Sequence, residues 1–199
     1  MKIRLAHKGD LKQLVGLERL HLDDELHDGE QAKALDGQAF GEAEIKQLID
    51  SHWICVAERE VGGLDVKNGE IVGYVMAGGW PFFESWPVYR HILKRLRDLS
   101  LDGVKLTKSN SCQYGPIWIK RDCRGQGIFE ALVSEIKNQL QTKFPFMLTF
   151  IAEDNMASFS AHTNKASMQV LDFFTYDDRD YYLLASSTER SWSNRDKSN

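Results

Sequence analysis

At 199 residues, 42% apolar and 27% charged, the chain has the length for one substantial domain and the composition of an ordinary globular one. A formal net charge of −4 lacks the basic surface that non-specific nucleic-acid binding needs, so no nucleic-acid partner is expected. Cys55, Cys112 and Cys123 are widely spaced without a C-x-x-C pair, which speaks against a disulfide framework and against a zinc site; no metal is expected. The amino terminus has no apolar leader and the longest apolar run, near Phe144 to Ala152, is too short for a bilayer, so the expected location is cytoplasmic, without membrane contact.

Lys2 to Ala6 alternates as a first strand. Asp10, with Gln13 three residues on, reads as a capping box opening a helix whose stripe is Leu11, Leu14, Val15 and Leu17. The run HLDDELHD, His21 to Asp28, reads as a solvated helix end rather than a metal site, since no chelating spacing stands out. A short helix is expected over Phe40 to Ile49. Trp53 to Ala57 and Ile71 to Ala77 read as antiparallel strands joined through Gly62-Gly63 and Asn68-Gly69. The segment WPFFESWP then carries aromatics, and Pro87 opens a helical stripe of Val88, Ile92, Leu93 and Leu96 reaching Leu99.

The most informative stretch is Gln113 to Leu140. Ile117 to Ile119 reads as a strand, Arg121 to Gly127 as a glycine-bearing turn, and Ile128, Leu132, Ile136 and Leu140 as one face of a helix. Gly115-Pro116 precedes that strand, and proline in a ladder belongs at a strand start, a bulge or an edge. A helix start behind glycines is an anion site, because free amides and the dipole converge there. A dinucleotide fingerprint fails at Glu130, and a P-loop fails at Ile128-Phe129, where Lys-Ser/Thr would be needed. Phe146 to Ala152 is the next strand, followed by Glu153 and a helix on which Asn155, Ser158 and His162 share a face. Gln169 to Tyr176 and Asp180 to Leu184 form a closing hairpin, and the polar residues 185–199 read as a disordered tail.

Arg124, Gly125, Gln126 and Gly127 resemble the coenzyme-A loop of the GNAT N-acetyltransferases, Arg/Gln-x-x-Gly-x-Gly/Ala, with Phe129 in place of the last small residue. Asn155 matches an asparagine that contacts coenzyme A in that family. His162 stands where relatives carry the tyrosine that protonates the leaving thiolate, and Ser167 where they often carry glycine. The resemblance spans roughly Lys2 to Leu184. It implies a single domain over 1–184 with a mixed, mostly antiparallel sheet, a splay between two central strands and helices on both faces.

It further implies acetyl transfer from acetyl-CoA to an amine of a small molecule or protein, with a homodimer left open. The coenzyme would meet Ile117, Trp118, Ile119, Arg124, Gly125, Gln126, Gly127, Ile128, Phe129, Asn155 and Ser158. The region from His21 to Ile49 would lie over the acceptor site. His162 is expected to act as, or position, the acid, Glu153 to serve as base, and Trp80, Phe82 and Trp86 to line the acceptor pocket. Two other readings are a catalytically silent acyl-CoA-binding or sensing module and an unrelated α/β interaction domain.

Overall fold

The computed structural model describes residues 1–27, 40–60 and 69–189. Asp28, the Gly62-Gly63 connection with Asn68, and the tail from Arg190 onward lie outside the described residues. The strands are β1 (Lys2–Leu5), β2 (Ile54–Arg59), β3 (Glu70–Gly78), the two-residue β4 (Ser100–Leu101) and β5 (Val104–Lys105), β6 (Ser111–Ile119), β7 (Phe146–Ala152), β8 (Gln169–Tyr176) and β9 (Arg179–Ser187). The helices are α1 (Leu11–His27), α2 (Glu42–Asp50), α3 (Trp80–Phe83), α4 (Pro87–Leu96), α5 (Ile128–Leu140) and α6 (Met156–Asn164). Seven strands make one sheet in the order β1-β2-β3-β6-β7-β9-β8, while β4 and β5 form a separate small hairpin. Within the large sheet only β6 and β7 run parallel.

Alternation along the strands divides the core in two. Tyr74 and Met76 of β3, Trp118 of β6 and Leu148 of β7 pack with α1, α2, α3 and α4. Val75 and Ala77, Tyr114, and Met147 and Ile151 pack on the other face, where α5 lays down Ile128, Leu132, Ile136 and Leu140, as their spacing predicts.

Three local expectations shift. Asp10 does not cap α1: it is fully buried against Arg4 (2.6 and 3.0 Å) and closes a capping box with His7, the N-cap of the short turn Lys8–Asp10. Gln13 instead bridges to β3, donating to the Gly69 carbonyl at 3.2 Å and accepting from the Ile71 amide at 3.0 Å. The strand read at Ile117 to Ile119 begins earlier, at Ser111, and Pro116 lies inside it. β9 continues to Ser187, three residues past the expected boundary, because its pairing with β7 runs on to Phe146.

Proline is tolerated within β6 because it sits in a bulge. Val75 opposes Ile117 and Ala77 opposes Tyr114, so Gly115 and Pro116 together face the single residue Met76. Gly115 takes φ +105°, a conformation that favours glycine, and a Cβ there would meet the Thr149 hydroxyl at 3.3 Å.

Candidate coenzyme and acyl-transfer site

The bulge decides where the sheet opens. β6 and β7 pair through Ser111, Cys112 and Gln113 against Phe146, Met147 and Leu148, and pairing stops there. Beyond it, Ile117, Trp118 and Ile119 stay on β3, while Thr149 to Ala152 stay on β9. Each strand keeps its outer partner and loses its inner one. The result is a V with its apex near Gln113 to Gly115 and Thr149, and its mouth at the Arg121–Gly127 turn. A backbone edge in such a cleft can accept an extended ligand as an added strand.

At the mouth, the Lys120 amide donates to the Val72 carbonyl at 2.8 Å, a short turn spans Arg121–Cys123, and Gly125 and Gly127 adopt φ +76° and +77°. Gly127 is the N-cap of α5, and the first helical bond runs from the Ala131 amide to its carbonyl at 3.1 Å. A Cβ on either glycine would meet no atom within 4 Å, so there is open space beside the turn that leads into the helix start. Arg124 is exposed and braces the strand end by donating from Nε to the Ile119 carbonyl at 2.9 Å; Gln126 donates to the Asp122 carbonyl at 3.3 Å. Glu130 is accommodated locally: its own backbone amide, and Lys165 at 3.2 Å, hold its carboxyl below the usual range against a smaller desolvation effect. Cys123 is buried beside this turn, and burial chiefly pushes its thiol up.

Two residues that depart from the resemblance meet each other. The Phe129 side chain turns toward α6, where its ring stands edge-on to His162 with centroids 5.1 Å apart. Tyr114 packs on the same imidazole from the apex side, at 5.6 Å. Asn155 caps α6 by accepting from the Ser158 amide at 3.1 Å, which leaves its NH2 group for another partner. His162 is 3% exposed, and its Nδ1 donates to the Ser158 carbonyl at 2.7 Å, with the Ser158 hydroxyl at 3.3 Å. Burial lowers its pKa, and the bond to the Ser158 carbonyl only partly opposes that.

The imidazole is therefore neutral at pH 7, with its proton committed to the main chain. This environment works against its serving as acid. The neighbouring Tyr114 phenol carries a dissociable proton, has its pKa raised by burial, and has no hydrogen-bond partner among the described residues. The Gln113 Oε1 atom is also buried without a partner, its amide fixed by donation from Nε2 to the Tyr114 carbonyl at 2.8 Å. Two orphan polar atoms thus flank the apex, and sequence reasoning gave neither residue a role. The signal was their place just before Gly115-Pro116.

Glu153 is not brought to the apex. It is exposed beyond the end of β7, four residues past Thr149, or about 13 Å along an extended strand. The aromatics expected around an acceptor form one packed cluster. Trp80 is fully buried with its indole donating to Ser111 Oγ at 3.1 Å, while Phe82 and Trp86 are half-buried against Phe40, Phe83 and each other. Of the three, only Phe82 and Trp86 retain surface for a ligand.

Among the described residues no group of His, Cys, Asp or Glu is arranged to hold a metal, and no helix is long and apolar enough to cross a membrane. No protein-family model matches the chain, and no curated protein matches it. Solved structures do. The chain is similar to the ribosomal-protein-alanine N-acetyltransferase of Brucella melitensis (TM-score 0.60, 17% identity, 94% of this chain and 99% of that one). It is similar to a putative acetyltransferase from Salmonella typhimurium solved with acetyl-CoA (0.60, 15%, 96% and 96%). A third match is a GNAT-superfamily phosphinothricin acetyltransferase from Sinorhizobium meliloti in complex with acetyl-CoA (0.59, 17%, 94% and 87%). Strand order, the central splay and the helix behind the glycine turn agree with these matches in saying that the chain has the GNAT fold.

Proposed function

We propose that the chain transfers an acetyl group from acetyl-CoA to an amine, as a single domain over residues 1–184 with the strand end of β9 completing it. The observation that carries this reading is one conjunction: a helix start opened by two positive-φ glycines, fed by the strand at which the sheet splits. Pyrophosphate suits the amides of Gly125 to Phe129, with Arg124 alongside. The pantetheine arm suits the edge of Ile117, Trp118 and Ile119, with Asn155 and Ser158 across the cleft. The two neighbours solved with acetyl-CoA support it as donor.

An arm anchored at the mouth and running inward brings the thioester toward the apex. Backbone amides of β6 would stabilise the oxyanion there, and the thiolate would leave toward α6. His162 positions that side of the site, and Tyr114 supplies the proton. Glu153, at the mouth, stands too far out to reach an amine at the apex unless the acceptor itself extends outward. Phe82 and Trp86 contribute to acceptor choice.

Calorimetric titration with acetyl-CoA, followed by thiol release with a panel of amines, tests the reading. Binding with amine-dependent thiol release is expected. No binding overturns it, and binding without release under any amine supports the silent module instead.

A further inference from the structure

We infer that Gln113 holds the acceptor: its side-chain Oε1 takes a hydrogen bond from the attacking nitrogen, and this selects primary amines. This rests on the acetyl-transfer reading above. Gln113 is 2% exposed, and its Oε1 has no hydrogen-bond partner among the described residues. The orientation of the carboxamide is fixed by its chemistry, because Nε2 faces the Tyr114 carbonyl at 2.8 Å and only the NH2 end can donate to a carbonyl. A carbonyl oxygen shut away from water without a donor is destabilising, so this one calls for a partner that arrives with a ligand.

Main-chain alternation puts that carboxamide in the cleft. The Ala77 amide donates to the Trp53 carbonyl at 2.9 Å, on the β2 side, so at the Ala77–Tyr114 pair the Tyr114 main chain turns away from β3 and toward β7. Pairing between β6 and β7 ends at Gln113, and Nε2 meets the Tyr114 carbonyl where a β7 amide would have continued the ladder. The same nitrogen lies 4.0 Å from where a Cβ on Gly115 would sit, a point 3.3 Å from Thr149 Oγ1 on the facing strand. The carboxamide therefore closes the narrow end of the V, where an arm running in from the mouth delivers its thioester. Its oxygen is covered by its neighbours, so the bond forms once the arm has entered between β6 and β7.

The face from which the side chain springs identifies the donor. Cys112 and Tyr114 pack on the α5 side, so Gln113 between them roots on the other face, opposite Leu148 of the core under α1–α4. Phe82 and Trp86 pack on that same core. The pantetheine amides have the edge of Ile117 to Ile119 to bond, and past the thioester carbon the remaining N–H donor is the amine. It enters from the Gln113 face while the thiol leaves toward Tyr114.

In the step, the lone pair of the neutral amine bonds to the thioester carbonyl carbon and positive charge grows on nitrogen. The N–H held by Oε1 becomes a stronger donor, so the contact tightens in the transition state. An amide oxygen is too weak a base to take that proton, and the proton that is lost passes from nitrogen to water. The C–S bond breaks, its electron pair leaves with sulfur, and the thiolate takes a proton from the Tyr114 side, giving an amide and free coenzyme A. A primary amine keeps one N–H on Gln113 throughout. A secondary amine must give up the only one it has.

The test uses the full chain with saturating acetyl-CoA and n-butylamine, benzylamine or the unblocked peptide Ala-Gly-Phe, whichever releases thiol fastest, alongside its N-methyl counterpart. Gln113→Met keeps the length and removes the acceptor atom. It should lower kcat/KM for the primary amine by roughly 10- to 100-fold, the range for a hydrogen bond to a charged group, with the N-methyl amine little changed and the acetyl-CoA Kd retained. An equal fall for both amines marks a merely structural carboxamide and overturns the assignment, as does a wild-type kcat/KM. Weaker acetyl-CoA binding in the variant gives Oε1 to the coenzyme and overturns it too. Failure of the wild type to bind acetyl-CoA defeats the acetyl-transfer reading itself.

A second measurement needs no acceptor. In a crystal structure with S-acetonyl-coenzyme A, whose ketone stands in for the thioester and cannot be transferred, Gln113 Oε1 should face the ketone carbon with no N–H of the coenzyme upon it. A pantetheine amide donating to Oε1, or an Oε1 turned away from the ketone, overturns the assignment whether or not any amine reacts.

Discussion

The two faces of the sheet meet the cleft by different means. On the α5 and α6 face, contact is offered by main chain: amides behind Gly125 and Gly127, the edge of Ile117 to Ile119, and a cap at Asn155. On the α1–α4 face the packing is by buried side chains drawn from distant parts of the chain, as with Glu18 and Tyr74, which bond to each other across 56 residues. The first kind of site depends on conformation, so it tolerates changes of side chain such as Phe129. The second depends on identity, and its specificity can drift while the fold stays.

The comparison breaks most readily at Gly127. Gly127→Asp adds a side chain at φ +77°, costing about 1–2 kcal/mol, and sets a carboxylate at the phosphate position. Acetyl-CoA affinity should fall by about 100-fold, or ~2.7 kcal/mol, by calorimetry. Unchanged affinity in a folded variant would place the coenzyme elsewhere and remove the main-chain account of that face.

Tyr114→Phe sharpens it next. The phenol is buried without a partner among the described residues, so its removal should leave stability within about 1 kcal/mol or raise it. If the phenol protonates the thiolate, kcat should nonetheless drop by roughly 10- to 100-fold with the acetyl-CoA Kd retained. A wild-type kcat would free Tyr114 of that role.

His162 supplies a pH signature. Its pKa is lowered in the folded chain, chiefly by burial, so between the folded value and about 6.5 the unfolded chain binds the extra proton. This residue's contribution is therefore present above pH 6.5 and declines as pH falls toward the folded value. Chemical denaturation at pH 7.5 and pH 5.5 should show the loss, and His162→Phe should diminish it. An equal pH dependence in that variant would mean the imidazole is not buried neutral.

The smallest effect concerns the connection from α6 to β8. Ser167 adopts φ +53°, where glycine is free of strain, so Ser167→Gly should stabilise by about 1 kcal/mol, a rise in Tm of about 2–4 °C for a chain of this size. Acetyl-CoA binding should not change. A lower Tm would show that the serine side chain offsets the strain.

Much of the fold was legible because it is written locally. The spacing of Ile128, Leu132, Ile136 and Leu140, the strand Phe146 to Ala152 and the glycines before α5 each need only a short window of sequence. Asp10 and Gln13 misled for the opposite reason. Both have capping chemistry, yet Asp10 spends it on His7 and Arg4 one turn earlier, and Gln13 bridges to β3. The aromatics after Gly79 were legible as a cluster but not as core or pocket, since that depends on what covers them.

The sequence by itself determined the order of elements, the helix start at Gly127 and the bulge-prone Gly115-Pro116, since periodicity, positive φ and a missing amide hydrogen are properties of neighbours along the chain. Tertiary structure alone decided that β6 and β7 part at Gln113, that Phe129 meets His162, that Glu153 stands at the mouth, and that Glu18, His21 and Tyr74 share one corner. Each of these depends on which residues are buried together. Burial sets both the cost of an unpaired polar group and the protonation of a histidine, and no short stretch of sequence carries that information.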